Sequence, residues 1–390
     1  MDKHMIYLDH AATTALDPQV LAAMLPYFTQ HEGNPSSIHQ AGRVALQAID
    51  DARSTAALIL NCARKEVIFT GSGSEANNLA VKGVAFAQMQ QGKGRHIVTS
   101  AIEHHAVLHA VEYLDSFGFE HTVLPVDADG LIQPDDLRAA LRADTIVVSL
   151  MYANNEIGTV QPIAELGAIC REHGVPFHTD AVQAAGAYTL DVEALNVDLL
   201  TISAHKFYGP KGSGLLYARR GIPFLPQING GGQERRRRAG TENVPGIVGL
   251  GAALALAEER RASYVGHCST LRDRLIDGLL QRIPGTRLNG HRSLRLPNNA
   301  NLAFECVEGE SVLLLLDQHG ICASSGSACT AGSLEPSHVL LALGLSPEIA
   351  NGAVRFSLGK DTSAAEIDTV LETLPPLIAR LQAVAPCEAA

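Results

Sequence analysis

The 390-residue sequence predicts an α/β fold, with a large domain built on a mostly parallel sheet covered by helices and a smaller α+β domain. Between about residues 65 and 220, short apolar runs alternate with stretches of helical period, which is typical of a parallel sheet covered on both faces. This alternation stops after about residue 259. The composition, 46% hydrophobic and 18% charged, is that of a globular protein long enough for two cores.

The elements follow in order along the chain. Six apolar runs are candidate strands, at 67–70, 96–99, 145–151, 175–179, 198–202 and 215–217. The second part contains a helix pattern at 264–280, a strand-like run at 300–304, a Gly/Ser-rich loop and a final helix at 364–381. We therefore expect a large domain over residues 15–260 and a small domain made of residues 1–14 and 261–390.

Charge and hydropathy argue against several classes of protein. The net charge is −11 and the pI about 5.8, so binding to nucleic-acid phosphates is not expected, and the short basic run at 235–238 is interpreted as a solvated loop. The N-terminal residues lack a signal-peptide pattern, and the apolar segment 246–257 is too short to span a bilayer and is interpreted as a buried helix. We expect a cytoplasmic protein. Seven cysteines without a C-x-x-C spacing predict reduced thiols.

Polar residues follow the ends of the predicted strands, where ligands collect in sheets of this kind. Gly71-Ser72-Gly73-Ser74-Glu75 begins a helix after strand 67–70. Small residues let the backbone approach a ligand, and the unpaired N–H groups of a helix start favour a phosphate. A capping box from Ser72 to Glu75 explains the same residues without a ligand.

Three more strands end in polar residues. His104 and His105 follow strand 96–99 and could be acid–base groups or solvated surface; no third ligand stands at a suitable spacing, so no metal site is predicted. Asn154 and Asn155 follow strand 145–151, where a plain turn is the alternative. Asp180 follows strand 175–179, where a helix cap is the alternative.

Lys206 carries the most informative signal, because it lies just beyond the predicted strand 198–202 among Ser, His and Gly residues. Lysine is rarely buried, and desolvation lowers its pKa enough to free the amine for Schiff-base chemistry. Enzymes that use pyridoxal 5'-phosphate (PLP) need such a lysine, an acid facing the pyridinium nitrogen and a phosphate cup. Asp180 and the helix start at residues 71–75 supply the other two parts, so the order of these motifs predicts a PLP site.

The sequence resembles the cysteine desulfurases of the NifS/IscS type, which belong to the fold-type I PLP enzymes (class-V aminotransferase-like family). The resemblance covers essentially the whole chain. It is carried by YLDHAATT at 7–14, GNPSS at 33–37, NNEIG at 154–158, HTDAVQ at 178–183, SAHK at 203–206, RAGTEN at 238–243, SSGSACT at 324–330 and VRFSLG at 354–359.

The resemblance implies a role for each matching residue. Lys206 would form the Schiff base, Asp180 would pair with the pyridinium nitrogen, and His104 would stack on the ring, assist proton transfer and raise the thiolate fraction of Cys329. Arg355 would clamp the substrate carboxylate in a bidentate fork. The other implied contacts are those of Gly73, Ser74, Ser203 and His205 with the phosphate, of Asn155 and Gln183 with the phenolic oxygen or the substrate carboxylate, and of Thr241, which would reach the phosphate in the neighbouring subunit of a homodimer.

The implied reaction removes sulfur from L-cysteine, giving L-alanine and a persulfide on the nucleophile Cys329. The sulfur would pass to an iron–sulfur scaffold or another acceptor protein, with Cys329 able to ligate a cluster transiently, and residues 239–243 and 334–339 favour the nitrogen-fixation branch. An aminotransferase or a selenocysteine lyase on the same fold is an alternative, and so is a sulfur-binding scaffold without catalysis. An aminotransferase would not need Cys329, and a scaffold would be colourless.

Overall fold

The computed structural model describes residues 5–325 and 336–384. Its strands are β1 Ile6–Tyr7, β2 Val67–Thr70, β3 His96–Ser100, β4 Glu120–Leu124, β5 Thr145–Ser149, β6 Phe177–Asp180, β7 Leu199–Ser203, β8 Gly214–Ala218, β9 Thr286–Asn289, β10 Asn299–Phe304, β11 Ile321–Cys322 and β12 Ala353–Ser357. Its helices are α1 Pro18–Met24, α2 Pro26–Thr29, α3 Gln40–Ile59, α4 Gly73–Gln90, α5 His105–Asp115, α6 Pro134–Ala140, α7 Ile163–Glu172, α8 Gln233–Arg236, α9 Val244–Arg282, α10 Gly309–Gln318, α11 His338–Ala342, α12 Pro347–Asn351 and α13 Ala364–Gln382.

A seven-stranded sheet in the order β2-β8-β7-β6-β5-β3-β4 forms the centre of the larger part. Only β8 runs antiparallel to its neighbours, β2 and β7. The connection from β7 to β8 explains this exception, because residues 204–213 are too few for the crossover of a dozen or more residues that a parallel pair requires. The predicted mostly parallel α/β sheet is confirmed.

Side chains of the central strands alternate between two apolar layers. Val67 and Phe69 of β2 pack with helices α1, α3, α7 and α9, whereas Ile68 packs with α4 and α5 on the other face. Strands β2, β3 and β5 to β8 are buried along their whole length, as expected for a sheet covered on both faces. Strand β4 lies at the edge, is half exposed and reads Glu-His-Thr-Val-Leu, so its composition gave no strand signal.

Helix α9 is a single 39-residue helix, where the sequence predicted two separate helical segments. Its first half packs on α1 and α3, and its second half packs on α13, β9 and β10. The residues buried in the first core end at Leu254, and those in the second begin at Cys268. The expected domain boundary at residue 260 lies between these two sets but inside a continuous helix, and the division into two domains remains a proposal.

The second core surrounds the three-stranded antiparallel sheet β12-β10-β9 and the short parallel pair β1-β11. Ile6 and Leu8 belong to this core, and the chain then leads into the cavity at the edge of the central sheet. Cys170 and Cys268 are buried free thiols. Cys306 is disulfide-bonded, which corrects the expectation of reduced thiols at that position.

No helix within residues 5–325 and 336–384 is long and apolar enough to cross a membrane. The same ranges contain no group of three or more His, Cys, Asp or Glu side chains arranged to hold a metal ion.

Candidate active site

A cavity of about 440 Å³ opens where the parallel strands of the central sheet end. Strands β2, β3, β5, β6 and β7 each deliver a polar segment to it, because the carboxyl ends of parallel strands meet at one edge. Ten of the predicted site residues line this one cavity: Gly73, Ser74, His104, Asn155, Asp180, Gln183, Ser203, His205, Lys206 and Arg355.

The start of α4 forms one wall of the cavity. Ser72 caps the helix, its Oγ accepting from the backbone N–H of Glu75 at 3.0 Å. A Cβ on Gly73 would lie 3.0 Å from Val182 Cγ2 and 3.2 Å from Ser203 Cβ, so only glycine fits without displacing a neighbour. The capping interpretation is thus correct for Ser72, and the helix start still presents its N–H groups at the cavity.

Asp180, the last residue of β6, is held by two donors. Its Oδ2 accepts from Asn77 Nδ2 at 2.6 Å and its Oδ1 accepts from the backbone N–H of Val182 at 2.9 Å. Asn77 is only 1% exposed and was missed by the sequence reasoning. It stands four residues after Gly73, on the same face of α4, so a polar side chain at helical spacing from the glycine was the available signal.

Lys206 follows β7 at the end of the short helical turn Ala204–Lys206. Its Nζ donates to the backbone oxygens of Ala11 at 2.5 Å and Ala12 at 2.8 Å. Burial, followed by the charge of Lys206, lowers the pKa of the adjacent His205 to about 4, so that imidazole is neutral near pH 7. His205 Nδ1 lies 3.1 Å from Thr13 Oγ1.

His104 caps the start of α5, which constrains its tautomer. Its Nδ1 accepts from the backbone N–H of Ala106 at 3.1 Å. A neutral imidazole with Nδ1 as acceptor carries its proton on Nε2. His104 therefore offers a donor at Nε2, and the expected role as a base toward a thiol would require it to give up the cap at Nδ1 or to change tautomer.

Arg355 lies on β12 of the smaller sheet and is 1% exposed. Its Nη2 donates to Asp9 Oδ1 at 2.8 Å, and its Nη1 donates to the backbone oxygen of Asn155 at 3.0 Å. Gln183 Nε2 donates to the oxygen of Ala11 at 2.9 Å. The N-terminal segment around Asp9 to Ala12 therefore contacts three predicted site residues, a long-range arrangement that the sequence gave no means to foresee.

Two predicted site residues, Thr241 and Cys329, are not placed at the cavity by the described part of the chain, for different reasons. Thr241 is exposed, just ahead of α9, and is not among the cavity residues. Cys329 lies outside the described residues. The roles of both remain predictions.

The chemistry of the cavity fits PLP. A phosphate would meet the start of α4 with Gly73 and Ser74, a pyridinium nitrogen would meet the fixed carboxylate of Asp180, and a carbonyl would meet the Lys206 amine. A Cβ at Gly73 would crowd Val182 and Ser203, and a glycine at this position leaves the backbone accessible to a phosphate.

Comparisons with known proteins identify the family of this chain. The aminotransferase class-V family model matches residues 6–370. The chain is 53% identical to a protein named cysteine desulfurase IscS from Methanosarcina thermophila, covering 98% of this chain and 94% of that protein. It is 50% identical to a protein of the same name from Dictyoglomus turgidum, covering 98% and 97%.

Solved structures give the same result. A NifS-like protein superposes with a TM-score of 0.90 at 36% identity, covering 96% of this chain and 100% of that one. A structure described as SspA in complex with cysteine superposes with a TM-score of 0.79 at 38% identity, covering 90% and 98%. The chain therefore belongs to the aminotransferase class-V family of PLP-dependent, fold-type I enzymes and is of the NifS/IscS type.

Proposed function

We propose that this protein is a cysteine desulfurase, which converts L-cysteine into L-alanine and carries the sulfur on Cys329 for iron–sulfur cluster assembly. The observation that supports this most is the convergence of Lys206, Asp180 and Arg355 on one cavity. The chain is also about half identical over nearly its full length to proteins named cysteine desulfurase. PLP is the cofactor, with Gly73, Ser74, Ser203 and His205 as the proposed phosphate ligands.

Bound PLP draws electrons out of the bonds at the α-carbon of an attached amino acid. Lys206 is the proposed carrier of the α-proton, at Nζ, and the oxygens of Ala11 and Ala12 orient that amine. Asp180 would accept a hydrogen bond from the ring nitrogen, and Asn77 and Val182 hold its carboxylate in place. His104 donates at Nε2, and Gln183 and Asn155 bind polar groups of the cofactor or substrate.

Arg355 is the proposed binding group for the substrate carboxylate. Asp9 and the backbone of Asn155 already fix its guanidinium, so little side-chain freedom is lost when a carboxylate binds. A bidentate contact of this kind also favours α-carboxylates, because a lysine ammonium cannot reproduce the planar fork.

The sulfur-transfer step requires a thiolate near the substrate. Ser324, five residues before Cys329, pairs with Arg355 through two backbone hydrogen bonds, of 3.1 and 2.6 Å. Covalent geometry therefore keeps the Cα atom of Cys329 within about 18 Å of the Cα atom of Ser324. The thiolate of Cys329 attacks the substrate sulfur, an S–S bond forms, the carbon–sulfur bond breaks, and its electron pair stays with the carbon skeleton, which takes up a proton and leaves as L-alanine. No external oxidant is needed.

We further propose a cytoplasmic homodimer in which Thr241 contacts the phosphate bound by the neighbouring subunit. Mixing inactive Lys206→Ala protein with weakened Thr241→Ala protein tests this, because each mixed dimer would contain one intact site. We expect activity to rise above that of either variant alone. Mixed dimers with no such rise would contradict the proposal.

The nitrogen-fixation role, suggested by residues 239–243 and 334–339, is tested by following labelled sulfur to acceptor proteins.

The central experiment measures products from L-cysteine with the PLP-loaded protein. We expect alanine and, with a reductant, sulfide in equal amounts, and one added sulfur atom on Cys329 by peptide mass spectrometry. Cys329→Ala should keep the PLP absorbance and lose sulfide release. A keto acid in place of alanine, or unchanged sulfide release by Cys329→Ala, would refute the desulfurase function.

A further inference from the structure

Helix α11 begins immediately after the segment that contains Cys329, and two hydrogen bonds attach its start to the site. Ser337 Oγ donates to Glu156 Oε2 at 2.6 Å, and both side chains are buried. His338 Nε2 lies 3.0 Å from the backbone oxygen of Glu103, and it donates there because a carbonyl oxygen can only accept.

The acceptors of these two bonds flank site residues. Glu156 directly follows Asn155, and its backbone oxygen is fixed by Asn299 and Asn301 of β10 at 3.2 and 3.1 Å. Glu103 directly precedes His104. Ser337 and His338 therefore bind to the two segments that present Asn155 and His104 to the cavity.

Apolar packing holds the rest of α11 in the same place. Val339 and Leu340 are buried in a cluster with Ile102 and Ile157, which belong to the same two segments. This packing alone would keep α11 on the site without either hydrogen bond. The two hydrogen bonds add direction, because they fix the orientation of the start of α11 against the site.

We propose that Ser337 and His338 are positioning residues for sulfur transfer. They attach the chain that follows Cys329 to the wall of the site. The proposal rests on the cysteine desulfurase function stated above. It separates two steps, since removal of the α-proton by Lys206 involves neither residue, whereas attack by Cys329 depends on how its segment is anchored. Misplacement of a reacting group by about 1 Å can cost about a hundredfold in rate.

The test compares a step that needs Cys329 with one that does not, in the PLP-loaded full-length protein. Exchange of the α-hydrogen of L-alanine in D₂O reports proton transfer alone, and single-turnover persulfide formation reports sulfur transfer. For Ser337→Ala and His338→Leu we expect persulfide formation to slow roughly tenfold or more, with α-hydrogen exchange within about twofold of wild type. The conservative variants Ser337→Thr and His338→Asn, which keep a donor, should recover most of the rate.

Ser346→Ala is the matched control. Ser346 caps the next helix, α12, accepting from its own Ile349 N–H, and does not bind a site segment. It should leave both rates unchanged. If Ser337→Ala and His338→Leu leave persulfide formation unchanged, or slow both steps equally, the positioning role is wrong while the proposed function stands. Wild-type protein that forms no persulfide would instead overturn the proposed function and this inference with it.

Discussion

Replacing Glu103 by glutamine removes a buried ionisable group with little change of shape. Glu103 is fully buried, and its Oε1 accepts from Ser100 Oγ at 2.6 Å and from the backbone N–H of Met151 at 2.8 Å. It thereby joins the end of β3 to the residues that follow β5. The Oε1 of a glutamine would accept the same two bonds.

The expected effect follows from the pKa of this carboxyl. Burial raises the pKa from 4.5 to about 8, and the charge of Asp180 adds to the rise, although the hydrogen bonds from Ser100 and Met151 oppose it. The folded protein thus holds the proton more tightly than the unfolded chain. This stabilisation is complete below the unfolded pKa of 4.5 and is lost as the pH rises through about 8.

Between these two values, each pH unit removes about 1.4 kcal/mol from the free energy of unfolding. Wild type should therefore lose about 3 kcal/mol between about pH 5.5 and about pH 7.5 through Glu103 alone. Urea unfolding of wild type and Glu103→Gln across this range gives the difference directly, because pH effects from other groups cancel. The free energy of unfolding of Glu103→Gln should therefore increase relative to that of wild type as the pH rises. Parallel stability curves would refute the raised pKa of Glu103.

Three further predictions concern the site and its support. Asn77→Ala removes a hydrogen bond to the Asp180 carboxylate worth about 1.5–3 kcal/mol, so the Kd for PLP should rise about 10–100-fold in an absorbance titration of the apoprotein; an unchanged Kd would remove Asn77 from the site. Arg355→Lys should raise KM for L-cysteine at least about tenfold with a smaller change in kcat, and an unchanged KM would exclude Arg355 as the carboxylate clamp. Glu234→Ala leaves buried Arg53 without its bidentate partner, at 2.8 and 2.9 Å, and should lower the free energy of unfolding by about 3–5 kcal/mol in urea; a loss below about 1 kcal/mol would contradict this.

The position of most site residues could be predicted because strand ends are visible in the sequence. Asp180 and Ser203 end strands β6 and β7, and the apolar runs that mark those strands are buried throughout. Once the sheet is known to be mostly parallel, its carboxyl ends must share an edge. Lys206 then had to lie near Asp180, whatever the details of the packing.

Local sequence carried less information about elements that face water or cross between cores. Strand β4 is exposed at the sheet edge, so its residues are polar and its pattern is weak. Helix α9 loses its apolar stripe between Leu254 and Cys268, where it passes from one core to the other, and the sequence therefore suggested two helices. Periodicity reports burial, and a continuous helix can be buried at both ends and solvated in the middle.

The N-terminal segment shows why the remaining contacts were out of reach. Asp9 pairs with Arg355, and the oxygen of Ala11 accepts from both Lys206 and Gln183, across sequence separations of 172 to 346 residues. Every residue has a backbone oxygen, so the residue type does not indicate which of them will accept a hydrogen bond from a distant lysine. Because β1 is anchored in the second core while Lys206 belongs to the central sheet, this segment fixes the distance between the amine and the guanidinium. The cavity that Lys206 and Arg355 line is therefore complete only when both cores have formed.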